Sequence, residues 1–116
     1  MFSDAPHLTF GIVPGDGLQV IWEAVLGFNR YRSLTLTHGS FSAAEALQWG
    51  VVAEVVGHDT VLARAKEIAD SLAARPQLLT RYLALTLRQR LSRQMAEGTA
   101  LGMALEGLTA ADLAYR

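Results

Sequence analysis

Cysteine is absent from the 116 residues, which removes disulfides, thiolate nucleophiles and cysteine-based zinc sites, and leaves the redox compartment unreadable. An excess of charge is equally missing: Lys+Arg 10 against Asp+Glu 11 gives a formal net charge of -1. No global field favours nucleic acid or an anionic membrane, so neither is expected as a partner. No apolar run approaches the roughly 18 residues of a membrane span, and the first residues carry no basic segment leading into an apolar one. The expectation is a soluble, cytoplasmic protein. What is abundant is apolar surface, at 51% of residues against 18% charged. That is rich for one modest core, and it predicts that some of the apolar surface meets another copy in a homo-oligomer.

Residues 5–13 mix apolar and small side chains without helical spacing and end at Pro14-Gly15, which reads as a short strand or extended segment closed by a turn. Leu18, Ile21, Trp22 and Val25 then fall on one helical face, with Gly27 where a C-terminal glycine belongs. Ser33–Thr37 is too short to assign between helix and strand. Ser42-Ala-Ala-Glu45 is a capping box opening a short helix that ends at Gly50. Val51–Val56 is β-branched and reads as a strand, followed by a loop at Gly57-His58-Asp59. From Thr60 to Leu72 the apolar stripe is helical and stops before Pro76, which starts the next helix. There Leu79, Leu83, Leu87, Leu91 and Met95 recur every four residues, and the helix continues to about Leu113 with Gly98 as its one candidate break. The fold class expected is mainly α with a small β element, as a single domain over 1–116, divided into turns and short helices (1–57) and a helical tail (58–116).

His7 and Asp16 carry the strongest chemical signal. A turn between them can return the aspartate to the imidazole, and a carboxylate fixing one ring nitrogen leaves the other free to take a proton from water. Asp16 has a second use, as the N-cap of the helix that follows, and the two uses compete for the same oxygens. His7 alone also reads as a partly buried structural histidine. Gly98, Gly102, Glu106 and Ala110 make a narrow small-residue stripe that admits a close neighbour, with Glu106 at its rim. His38 and His58 lie in glycine-containing loops and have no partner at metal-ligand spacing, so no metal is expected; His38 is placed at a site edge at most. Trp22 and Trp49 read as core or interface anchors. Ser71–Ala96 holds five arginines and no acidic residue, which suits either phosphate binding or a solvated or subunit-facing helix surface.

The runs Pro6-His7-x-x-x-Gly11-Ile12-Val13-Pro14-Gly15-Asp16-Gly17 and Leu36-Thr37-x-Gly39-x-x-Ser42-Ala43-x-Glu45-Ala46-x-x-x-Gly50-Val51-Val52, with the arginine-rich tail, resemble the C-terminal half of the crotonase (enoyl-CoA hydratase/isomerase) superfamily. The resemblance spans nearly the whole chain. Typical hydratases carry a glutamate after the proline, where His7 stands here. A histidine with an aspartate nine residues on is similar to the 6-oxocamphor hydrolase (β-diketone hydrolase) branch. The resemblance implies a water-activating His7, an Asp16 that orients it, and an accessory acid at Glu106. The reaction implied is retro-Claisen cleavage of a small cyclic diketone, with no cofactor.

Complete members have an N-terminal half that supplies stacked β-turns, oxyanion donors and a second active-site histidine. None of these lies in the 116 residues, so the expectation is a truncated crotonase-like α/β C-terminal module. Oxyanion donors are often worth about 3–4 kcal/mol of barrier, so such a module is expected to be a poor catalyst. Two alternatives from other classes stand beside this one. One is a non-catalytic helical self-association module; the other is an acyl-CoA-binding remnant of the family.

Overall fold

A computed structural model describes residues 1–115, with Ala5 described through its backbone alone. Helix dominates, and among the described residues the β structure is a single antiparallel pair, β1 (Phe2–Ser3) with β2 (Ser40–Phe41), in the register Phe2↔Phe41 and Ser3↔Ser40. The mainly α fold with a small β element is therefore as the sequence implied, but the β element lies elsewhere. Residues 5–13 are not extended: Ala5–Phe10 forms helix α1. Pro6 sits in its first turn, where a missing N–H costs nothing, and Gly11 closes it in the left-handed region at φ 72 with its N–H on the carbonyls of His7 and Leu8. Six residues are too few to show a helical period. The signal available was Asp4 just ahead of Pro6, a start motif.

Val51–Val56 is the second correction, since among the described residues it joins no sheet. The amides of Val51 and Val52 both donate to the Ala46 carbonyl, at 2.8 and 3.3 Å, so this run closes the helix before it. A β-branched side chain fits any half-buried packed surface, and here that surface is a helix end.

The remaining helices are α2 (Leu18–Leu26), α3 (Phe28–Leu36), α4 (Ala43–Gln48), α5 (Val61–Ala73) and α6 (Gln77–Ala114), with a 3₁₀ turn at His58–Thr60. The ambiguous Ser33–Thr37 segment is thus mostly the end of α3. Gly98 does not break α6, which runs on for 38 residues. At about 1.5 Å per residue such a helix is roughly 57 Å long, and it sets the 55 Å long axis of the molecule. The radius of gyration is 17.4 Å, against about 13 Å for a compact domain of this size.

The core is small and aromatic. Leu26, Phe41 and Ala46 are buried, with Trp22, Tyr31, Leu34, Trp49, Val51 and Val52 packed around them. The Phe41 ring lies 5.0 Å from Phe2, 5.7 Å from Trp22 and 5.4 Å from Trp49, centroid to centroid. Both tryptophans are core anchors, and Arg30 covers the Trp49 ring at 5.1 Å. This cluster ties β1 to α2 and α4, and so fixes the chain just ahead of His7.

Candidate active site

Asp4 links β1 to α1 and occupies the N-cap position, yet its side chain makes no capping hydrogen bond. Its Oδ1 instead meets the ring Nδ1 of His7 at 2.8 Å. The second oxygen, Oδ2, is buried without a hydrogen-bond partner among the described residues. His7 stands in the first turn of α1 with its side chain largely covered. On its other edge, Nε2 lies 3.8 Å from Glu106 Oε1, a gap too long for a direct hydrogen bond.

The segment after α1 crosses α6 and is strapped to it. Val13 N–H donates to Thr109 Oγ1 at 3.0 Å, and Gly15 N–H to Glu106 Oε2 at 3.1 Å. Gln19 continues the strap: its side-chain amide donates to the carbonyls of Gly15 at 3.2 Å and Gly98 at 3.5 Å. The crossing depends on the small-residue stripe. A Cβ on Gly15 would fall on the Gly102 carbonyl, and one on Gly102 would fall on Gly15 and the Gln19 amide. Gly98 meets Val20 in the same way, so the close neighbour that the stripe admits is the protein's own turn and α2.

Asp16 is exposed beyond this turn, and its Oδ1 accepts from Leu18 N–H at 3.3 Å. The N-cap of α2 is Gly17, at φ 120, so the capping use of Asp16 is reduced to this one turn contact. His7, Asp16 and Glu106, far apart in sequence, are brought together: one ligand-type atom from each lies within 4.8 Å of the others. A nitrogen and two carboxylate oxygens at that spacing can share a water or a small cation. Asp4 is the member that sequence reasoning missed. Its signal was available in Asp4-x-x-His7, one helical turn apart, where an N-cap carboxylate reaches the side chain three residues on.

The electrostatics follow from these neighbours. The Asp4 hydrogen bond raises the His7 pKa above its ordinary value; partial burial opposes it, and the charges of Asp4, Asp16 and Glu106 add to the rise. A cavity of about 610 Å³ lies alongside, walled by Leu8, Ile12, Val13, Leu101 and Leu105, with Gln19, Tyr31, Thr35, His38 and Glu97 among its polar positions. Among the described residues none of His7, Asp16 or Glu106 lines it. His38 is exposed and holds a left-handed backbone at φ 53 on this cavity's edge. His58 is exposed in the 3₁₀ turn. Arg75 and Arg81 flank an open groove of about 470 Å³ between α5 and α6, on a different part of the molecule's walls from the His7 cluster.

The family model for enoyl-CoA hydratase/isomerase matches residues 2–112. The fold superimposes on a β-diketone hydrolase from the cyanobacterium Anabaena sp. PCC 7120, solved with (S)-3-oxocyclohexyl acetic acid, at a TM-score of 0.93 and 46% identity, over 97% of this chain and 45% of that one. For an enoyl-CoA hydratase from Mycobacterium tuberculosis H37Rv the figures are 0.83 and 31%, over 96% and 50%. Mevalonyl-coenzyme A hydratase of Aspergillus fumigatus is 45% identical over 68 residues, 59% of this chain and 25% of that protein. The 116 residues thus span half or less of each of these relatives. A match over almost the full sequence, joined to a fold shared with both kinds of enzyme, places the chain in the enoyl-CoA hydratase/isomerase family.

Proposed function

We propose that this chain carries the water-activating part of a β-diketone hydrolase site. The observation that supports it most is the cluster itself: the His7 imidazole has one nitrogen held by a carboxylate and the other facing a second carboxylate. In this reading neutral His7 takes a proton from water at Nε2, and the hydroxide oxygen forms a bond to one carbonyl carbon of a cyclic β-diketone. The bond from that carbon to the carbon between the two carbonyls then breaks. Its electron pair passes into the second carbonyl as an enolate, and the proton held by His7 returns to the enolate carbon. The product is a keto acid, the chemical class of the compound bound to the Anabaena relative. Asp16 and Glu106 flank the water, and the reaction requires no cofactor.

Release of keto acid from a panel of cyclic and bicyclic β-diketones tests this, with His7→Ala and Asp16→Asn beside the unaltered protein. Turnover lost in both variants supports the assignment. Turnover equal to wild type in His7→Ala removes it.

A second reading, self-association, is favoured by one observation: large side chains such as Leu36, Leu87, Leu101 and Leu108 stand two-thirds or more exposed. Sedimentation would show a concentration-dependent oligomer in this case, and a monomer at all concentrations would exclude it.

A further inference from the structure

We propose that Asp4 is the positioning residue for His7: it holds the imidazole as the Nδ1–H tautomer and so presents the Nε2 lone pair to the water between Asp16 and Glu106. The proposal rests on the reading of His7 as a base. Its geometric basis is the 2.8 Å contact between Asp4 Oδ1 and His7 Nδ1, which leaves Nε2 as the nitrogen on the Glu106 side, at 3.8 Å. An aspartate at a helix start ordinarily gives its oxygen to a backbone N–H of the first turn. Asp4 has the position and forgoes the bond, spending its oxygen on the side chain of the third helical residue instead.

The setting is also costly in a way that a structural aspartate would avoid. Asp4 is only 8% exposed, and its Oδ2 has no partner among the described residues. A buried carboxylate oxygen without a hydrogen bond is destabilising, so the cost calls for a role that offsets it. The backbone that carries Asp4 is held by the Ser3↔Ser40 pairing immediately before it. The carboxylate therefore starts from a fixed point, as positioning requires. Asp16, exposed and engaged with the Leu18 amide, still keeps a carboxylate oxygen within 4.8 Å of His7 and Glu106. The raised pKa of His7, whose largest cause is the Asp4 hydrogen bond, agrees with the same division of labour.

Ring-nitrogen NMR of ¹⁵N-histidine-labelled protein, titrated with pH, reads the tautomer directly, and His7→Gln assigns the His7 signals among the three histidines. The expected result for the unaltered chain is a neutral form protonated on Nδ1. In Asp4→Ala the proton should redistribute toward Nε2, the titration midpoint should fall, and kcat on a β-diketone should drop at least tenfold with little change in KM. Asp4→Asn, whose amide oxygen can still accept from Nδ1–H, should keep the tautomer while losing the upward shift. A neutral wild type protonated on Nε2 would overturn the proposal, and so would an Asp4→Ala protein that titrates like wild type. If Asp4→Ala does not fold, the wild-type tautomer decides alone. If no β-diketone is turned over, the reaction falls while the nitrogen shifts still decide what Asp4 does to the ring.

Discussion

The amide of Gly15 donates to the carboxylate of Glu106 at 3.1 Å across 91 residues of sequence. The contact is possible because neither Gly15 nor Gly102, one turn of helix before Glu106, has a Cβ. One oxygen of Glu106 is thereby anchored while the other points to His7.

Glycine substitutions along α6 should separate packing from helix propensity. Gly107 has open space around its missing Cβ, so Gly107→Ala should stabilise by up to about 1 kcal/mol. Gly102→Ala gains the same propensity but drives a methyl into the Gly15 backbone, and should lose a net amount on the order of 1–3 kcal/mol. Paired denaturation curves check both signs; equal stabilisation of the two would refute the close approach.

His7→Ala should reduce any diketone turnover by about 10²–10⁴-fold. Steady-state keto acid release measures it, with the far-UV circular dichroism of the variant as a control for folding.

The raised His7 pKa fixes a pH profile. A base must be neutral, so kcat/KM should climb to a plateau with its midpoint above about 6.5. Stability responds in the opposite sense: the contribution is fully present below the unfolded pKa and is lost as pH rises through the folded one. In His7→Gln this part of the stability profile should flatten.

Phe41→Ala should destabilise by about 3–5 kcal/mol, because the ring is 2% exposed and touches Phe2, Trp22 and Trp49. The loss of order should reach Asp4 through β1, so the His7 nitrogen shifts should broaden or move along with the melting temperature.

Ser42→Ala removes a complete capping box, in which the serine hydroxyl accepts from Glu45 N–H and the glutamate accepts from Ser42 N–H. A cost of about 1 kcal/mol is expected. Glu45→Gln should cost less, since an amide oxygen can still accept; thermal melts of the two variants rank them.

The capping box, the glycine after α2 and the proline before α6 were legible because each acts within a few residues, and the chemistry that makes the signal is the chemistry that makes the structure. Val51 and Val52 were misread for the complementary reason. Their side chains fit a strand, but no strand lies beside them among the described residues, and the Ala46 carbonyl takes their amides. The helix Ala5–Phe10 was hidden by its length, and its N-terminal aspartate was passed over. The cluster of His7, Asp16 and Glu106 was reached through the family resemblance, because spacing alone gives no means of joining residues 16 and 106. Asp4 was outside that resemblance and needed coordinates.

The strap from Gly15 to Glu106 also sets an order of events during synthesis. While the chain is being made, His7 can find Asp4 as soon as the first helix forms, since three residues separate them. Glu106 does not yet exist. The cluster is completed only when residue 106 has left the ribosome and α6 has closed against a turn made some ninety residues earlier. Until then the imidazole has Asp4 and Asp16 within reach but lacks the carboxylate on its Nε2 side.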